Sequence, residues 1–103
     1  MTLHESRCQF THMLALLILK AQELGYEICI GKDGMYHMPG SLHYEGLAAD
    51  FDLYKNGEYI TDSTGHQELG QFWISLGGSW GGYFKGSSKG DFNHYSMSWN
   101  GKK

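Results

Sequence analysis

Apolar side chains recur every three or four residues through the first quarter of the chain. This spacing places them on one side of a helix, and it predicts an amphipathic helix over residues 5–24. Gly25 follows at the position where a glycine commonly ends a helix. The predicted buried stripe consists of Phe10, Met13, Leu14, Leu17, Ile18, Ala21 and Leu24.

The pattern then changes to the alternation of polar and apolar positions that is typical of strands. Residues 26–30 and residues 47–54 alternate in this way, and a final strand is predicted over residues 94–99. Asn56-Gly57 is a strong hairpin signal. We therefore expect residues 58–60 to pair back on the strand that precedes the turn.

A second helix is predicted between the hairpin and the last strand. Asp62 or Ser63 can cap it, it runs to about Leu76, and Gly77-Gly78 ends it. The remainder of residues 77–90 is rich in glycine and shows little regular pattern, and loops of this length are commonly functional. The expected buried side chains of this helix are Leu69, Phe72, Trp73 and Leu76.

Length and composition narrow the class of protein. A chain of 103 residues with 41% hydrophobic residues supports one domain over residues 1–103, and we expect a monomer. A net charge of −3 offers no basic surface for nucleic acid. The apolar run at residues 13–19 is too short to span a membrane, and no signal peptide is recognisable, so synthesis in the cytoplasm is expected.

The two cysteines, Cys8 and Cys29, lack the paired spacing of a cysteine-based zinc site. Because free cysteines are commonly buried, we expect both to be small hydrophobic side chains in the reduced state rather than a disulfide.

Histidines and aspartates in two distant segments supply the groups of a metal site. His43 and Asp50 lie in one segment and Asp91 and His94 in the other. Three protein ligands with one open position are typical of a catalytic zinc site, and a spare carboxylate can handle the proton of a bound water. The constellation therefore indicates a zinc-dependent hydrolase.

Spacing alone leaves two candidates for the carboxylate ligand. Asp50 and Asp52 occupy the same face of the predicted strand over residues 47–54. The cost of burying an unpaired carboxylate favours Asp50 as the ligand, and Asp52 as an exposed or supporting group. Among the remaining histidines, His37 could line the cleft, whereas surface or capping positions are expected for His4, His12 and His66.

The two segments resemble the signatures of the M15 family of zinc peptidases. Its Ser-x-His-x-x-Gly-x-Ala-x-Asp pattern is matched at five fixed positions, and its second signature is matched by Asp91 and His94, followed by the aromatic Tyr95. The resemblance covers roughly residues 41–99. The five matching positions of the first pattern are Ser41, His43, Gly46, Ala48 and Asp50.

The resemblance implies a role for each residue. His43, Asp50 and His94 would bind Zn²⁺, which decides in favour of Asp50 over Asp52, and Asp91 would be the catalytic base. It also implies a small single-domain α+β fold in which an antiparallel sheet carries the zinc site and packs against two main helices. The residues expected to contact substrate are Ser41, His37, Trp80 and Tyr95, and for Trp80 and Tyr95 a place in the core is the alternative that each favours when taken alone.

The expected substrate is the stem peptide of peptidoglycan. The family includes phage L-alanyl-D-glutamate endopeptidases, which act on the cell wall after release at lysis, and D-alanyl-D-alanine carboxypeptidases. A carboxypeptidase needs a cation for the terminal carboxylate, and the arginine that many family members place before Ser41 is absent, Arg7 being the one arginine in the sequence. Lys32, Lys85 or Lys89 could substitute as a point charge but without bidentate geometry, so we expect the endopeptidase activity. The alternative from another class is a non-catalytic zinc domain that binds cell wall or forms part of a phage particle.

Overall fold

Over the residues that the structure describes, the protein folds as an α+β domain of two α-helices and one antiparallel sheet of five strands, which confirms the expected fold class. The computed structural model describes residues 1–31, 42–43, 45–61, 64–83 and 92–102. Within these residues no helix is long and apolar enough to cross a membrane. The elements are, in chain order, α1 (Leu3–Glu23), β1 (Glu27–Ile30), β2 (Ala48–Lys55), β3 (Glu58–Tyr59), α2 (Thr64–Ser75), β4 (Ser79–Trp80) and β5 (His94–Ser96).

Helix α1 begins two residues earlier than the hydrophobic pattern predicts because polar residues cap it. The Thr2 hydroxyl accepts a hydrogen bond from the Glu5 backbone N–H, and the Glu5 carboxylate accepts one from the Thr2 N–H. Hydrogen bonding to the ionised carboxylate, first from the Thr2 backbone N–H and then from the Thr2 side chain, holds the pKa of Glu5 below its usual value. The buried side of the helix consists of Ser6, Phe10, Met13, Leu17 and Ala21.

The sheet has the order β1-β2-β5-β4, and β3 pairs with the end of β2. Strand β2 is the longest and contacts three others, so it organises the sheet. The turn between β2 and β3 has positive φ at both Asn56 and Gly57, at 53° and 79°. This conformation matches the twist of a two-residue hairpin and confirms the predicted turn.

Trp73 joins the two helices to the sheet. Its fully buried indole packs edge-on against Phe10 of α1 and Tyr95 of β5, with ring centroids 5.7 and 5.9 Å apart. Its Nε1 donates a hydrogen bond of 2.8 Å to the backbone carbonyl of Ser96. The core therefore lies where α1, α2 and β5 meet, directly behind the strand that carries His94.

The segment after α2 contains regular structure that the sequence pattern does not predict. Residues 79–80 form strand β4, paired with β5 through Ser79↔Ser96 and Trp80↔Tyr95, and a short 3-10 turn follows at Gly81–Tyr83. Strand β5 is in turn shorter than the predicted strand over residues 94–99. Both differences arise because β4 and β5 are defined by their pairing with each other rather than by local alternation.

Strand β4 packs closely on α2 at Gly70. A Cβ added there would lie 2.2 Å from Cδ2 of Trp80, so only glycine allows the helix to approach the indole.

We predict that Gly70→Ala destabilises the protein by about 1–3 kcal/mol, although alanine is the better helix former, because the methyl group overpacks the core. Urea unfolding measures this free energy. Glu68→Ala, at an exposed position of the same helix, is the control and should change it by less than about 0.5 kcal/mol. A stabilising effect of Gly70→Ala would contradict the close packing.

Candidate metal centre

The pairing of β2 with β5 places Asp50 directly opposite His94. The backbone hydrogen bonds from Phe51 N–H to Asn93 and from Met97 N–H to Leu47 lie on either side of this pair. Along an antiparallel ladder, residue pairs joined by backbone hydrogen bonds alternate with pairs that are not. Asp50 and His94 form a pair of the second kind, in which the two side chains stand closest. Strand register therefore brings the carboxylate and the imidazole together.

His43 reaches the same place from a turn that precedes β2. The Leu42 carbonyl accepts hydrogen bonds from the backbone N–H groups of Glu45 and Leu47, at 3.1 and 3.0 Å. Leu42 and Leu47 are both buried and anchor the two ends of the turn. Gly46 has a φ of 73°, a conformation that favours glycine, which explains why a glycine is needed at this position.

Helix α1 holds this turn from outside. Nε of Arg7 donates a 2.7 Å hydrogen bond to the Glu45 carbonyl, two residues after His43. The side chain also lies against Gly46, where a Cβ would approach Arg7 Nε to 3.2 Å. The position of His43 thus depends on an arginine that the sequence pattern places on a distant helix.

The three side chains converge on one carboxylate oxygen. Oδ1 of Asp50 lies 3.5 Å from Nε2 of His43 and 3.3 Å from Nδ1 of His94. One possible ligand atom from each residue lies within 4.8 Å of the other two. The two imidazole rings meet edge to face, with centroids 5.3 Å apart. His43, Asp50 and His94 can therefore hold a metal ion together.

These separations fit a tetrahedral ion. Nitrogen and oxygen ligands about 2.0–2.1 Å from zinc stand about 3.3 Å apart along an edge of the tetrahedron. The observed 3.3 and 3.5 Å are longer than a good hydrogen bond but match that edge. The side chains are 9–16% exposed, so the cluster lies below the surface while remaining open to a water or a substrate atom.

The structure distinguishes the two aspartates that spacing alone leaves open. Asp52 also lies on β2, but beyond the part that pairs with β5, and its partner across the sheet is Cys29 of β1. Among the described residues, the group that can hold a metal contains Asp50 and not Asp52.

Three ring groups hold the strand that carries His94. The indole of Trp80 donates a 2.7 Å hydrogen bond to the Phe92 carbonyl, and the indole of Trp73 donates one to Ser96. Between them, Nδ1 of His66 lies 2.8 Å from the hydroxyl of Tyr95. Side chains of α2 and β4 thus contact Phe92, just before β5, and Tyr95 and Ser96 within it.

These contacts correct three expectations. Trp80 and Tyr95, predicted as substrate contacts, are buried in the core, and Tyr95 is 0% exposed, so they support β5 instead. His66, expected at the surface or as a cap, is 2% exposed. The sequence did contain a signal for His66, because it precedes the buried Leu69 by three residues and so continues the apolar stripe of α2.

The structure tests the prediction for the two cysteines but not the predictions for three of the site residues. Cys8 and Cys29 are free, as expected, but both are exposed rather than buried. Ser41, His37 and Asp91 lie outside the described residues, and the roles predicted for them stay predictions.

Comparison with known proteins adds no relative. No protein-family model matches the chain, and no curated protein matches it. A function for this chain must therefore be argued from its sequence, its fold and the geometry of the group that could hold a metal ion.

We predict that His43→Ala, Asp50→Asn and His94→Ala each weaken metal binding by more than about 100-fold, since even residues that only support a ligand commonly contribute 10–100-fold. Competition with a chromophoric chelator measures the affinity. Asp52→Asn is the matched control on the same strand and should bind as the wild type does. If Asp52→Asn weakens binding as much as Asp50→Asn, the assignment of the ligand is wrong.

Burial lowers the pKa of His66 from 6.5 to about 4, which gives a second prediction. Between these values the unfolded chain binds a proton at His66 that the folded protein does not, so stability is lost as pH falls through this window. Going from pH 7 to pH 5, we expect this residue to remove about 2 kcal/mol from the free energy of unfolding.

Urea unfolding of the wild type and of His66→Gln at both pH values, with chelator present, isolates the contribution of His66, because all other groups titrate in both proteins. The wild type should lose more stability than the variant. Equal losses would show that His66 carries its proton in the folded state.

Proposed function

We propose that this chain is a zinc-dependent peptidase that hydrolyses an amide bond in the peptidoglycan stem peptide, with L-alanyl-D-glutamate endopeptidase activity. The observation that carries the proposal is the convergence of His43, Asp50 and His94 at separations that fit tetrahedral zinc. Two imidazoles and one carboxylate are a ligand set used by catalytic zinc, and three protein ligands leave a position for water.

The proposed chemistry needs a proton acceptor beside the metal ligands. A zinc ion held by His43, Asp50 and His94 would lower the pKa of a bound water and polarise the scissile carbonyl. Asp91, three positions before His94 in the sequence, is the proposed general base. Its carboxylate takes the proton of the attacking water and returns it to the nitrogen of the leaving amine, so the same group acts first as base and then as acid.

The residues around the metal ligands support the proposed roles because they hold both imidazoles in place. His94 is fixed by the register of β5, and His43 by the turn that Arg7 holds, so neither imidazole has to move far to bind an ion. Ser41 and His37 are proposed to contact the stem peptide, in keeping with the resemblance of residues 41–50 to the M15 signature. Trp80 and Tyr95 support the site from the core.

Arg7 bears on the choice between the two peptidase activities. A carboxypeptidase recognises the terminal carboxylate of its substrate, and arginine offers bidentate geometry for that purpose. Here Nε of the one arginine is engaged with the Glu45 carbonyl and its stem packs on Gly46. This structural use of Arg7 favours cleavage within the stem peptide over removal of a terminal D-alanine.

The test is digestion of defined muropeptides with mass analysis of the products. We expect the zinc-loaded wild type to separate the stem at the L-alanyl-D-glutamate bond and chelator to abolish this. Asp91→Asn should lower the rate by about 10²–10⁴-fold while metal affinity is kept, because it removes only the base. Asp52→Asn is the control that should retain activity.

Other outcomes identify the alternatives. Loss of a single terminal alanine would show carboxypeptidase activity instead. Metal binding without turnover of any muropeptide would favour a non-catalytic domain that binds the cell wall or forms part of a phage particle. Release of stem fragments by His43→Ala or by chelator-treated protein would contradict the zinc mechanism altogether.

A further inference from the structure

A second group of metal-ligating side chains lies on the exposed face of α1. His4, Cys8 and His12 follow one another at intervals of four residues, and all three are exposed. Residues four positions apart lie one above the other on a helix, so the three form a ladder along two turns. None of them belongs to the candidate metal centre, and the proposed function does not use them.

The side chains of His4 and Cys8 already stand at the distance expected for two ligands of one metal ion. Sγ of Cys8 lies 3.7 Å from Nε2 of His4. A thiolate about 2.3 Å and an imidazole about 2.0–2.1 Å from zinc stand about 3.6 Å apart along a tetrahedral edge. One ion can therefore bind both atoms while the helix keeps its backbone conformation.

The surroundings leave space for the ion and its waters. A cavity of about 520 Å³ opens beside this face and is lined by His4, Arg7, Cys8, Thr11, His12 and Ala15. The Thr11 hydroxyl donates to the Arg7 carbonyl, and Nε of Arg7 donates to Glu45, so both of these side chains have other contacts. His4 and His12 are about 12 Å apart along the helix axis at a rise of 1.5 Å per residue, so Cys8 pairs with one of them at a time.

We infer that His4 and Cys8 form a second, accessory site for a thiophilic metal ion such as Zn²⁺. The thiol loses its proton to solvent when the ion binds, and water completes the coordination. Because two protein ligands hold the ion less tightly than three, this site fills after the centre formed by His43, Asp50 and His94. The bound ion joins two successive turns at the start of α1 and so stabilises that end of the helix.

Titration with Co²⁺ under reducing conditions separates the two sites. A thiolate bound to Co²⁺ gives a charge-transfer absorption in the near ultraviolet, and the three-ligand centre contains only nitrogen and oxygen ligands. The band therefore reports on the accessory site alone. In the wild type we expect it to develop mainly after the first equivalent of Co²⁺, and in His43→Ala from the first addition.

Variants assign the band to residues. Cys8→Ser should abolish it, and His4→Gln should raise the Co²⁺ concentration needed by at least about 10-fold, a loss expected when a chelate is reduced to one ligand. Cys29→Ser and His12→Gln are the controls and should keep the band. Circular dichroism confirms that each variant is folded, which is expected because all four positions are exposed.

Three results would overturn the inference. These are a wild type without the band at excess Co²⁺, a band that survives Cys8→Ser, and a band lost in His12→Gln but kept in His4→Gln. None of these readouts depends on peptidase activity, so the accessory site and the proposed function can fail independently.

Discussion

The antiparallel pairing of β2 with β5 is the constraint on which the rest of the structure depends. It sets Asp50 against His94, and the hydrogen bonds on either side of this pair fix the register. A slip by one residue would turn every side chain of β5 to the opposite face, sending His94 into the core and Tyr95 to the site. Metal binding therefore requires a register that the core also specifies.

The core specifies that register through the alternate residue of the same strand. Tyr95 packs on Trp73 and Phe51 and contacts His66 through its hydroxyl, while its neighbour His94 faces Asp50. Burial strongly raises the pKa of the Tyr95 phenol, so the hydroxyl stays neutral and can share a hydrogen bond with the neutral His66. Strand β5 therefore serves the core with one face and the site with the other.

Local signals in the sequence predicted those parts of the fold that local interactions determine. Both helices, the Asn56-Gly57 turn and strand β2 follow from periodicity and turn chemistry. The burial cost of a carboxylate favoured Asp50, which lies in the group that could hold a metal ion. Strand β4 was missed because two residues between glycines have no detectable period, and only pairing with β5 makes them a strand. The exposure of Cys8 and Cys29 was missed for a similar reason, since a general preference of cysteine for the interior says nothing about which face of an element a given residue occupies.

The ligand residues could be recognised from the sequence, but the hydrogen bond from Arg7 of α1 that holds the turn of His43 could not. His43 and His94 are half a chain apart, and an ion that bridged them in an unfolded chain would have to close that loop against its entropy. Folding closes the loop beforehand, through the β2–β5 ladder on one side and the Arg7–Glu45 hydrogen bond on the other. Little conformational entropy is then left for the ion to overcome, which favours affinity.

The ligands need particular residue types at particular spacings, and so they leave a motif. Their support needs only a donor that reaches one carbonyl oxygen, a requirement that a side chain on any neighbouring helix can meet without leaving a pattern in the sequence.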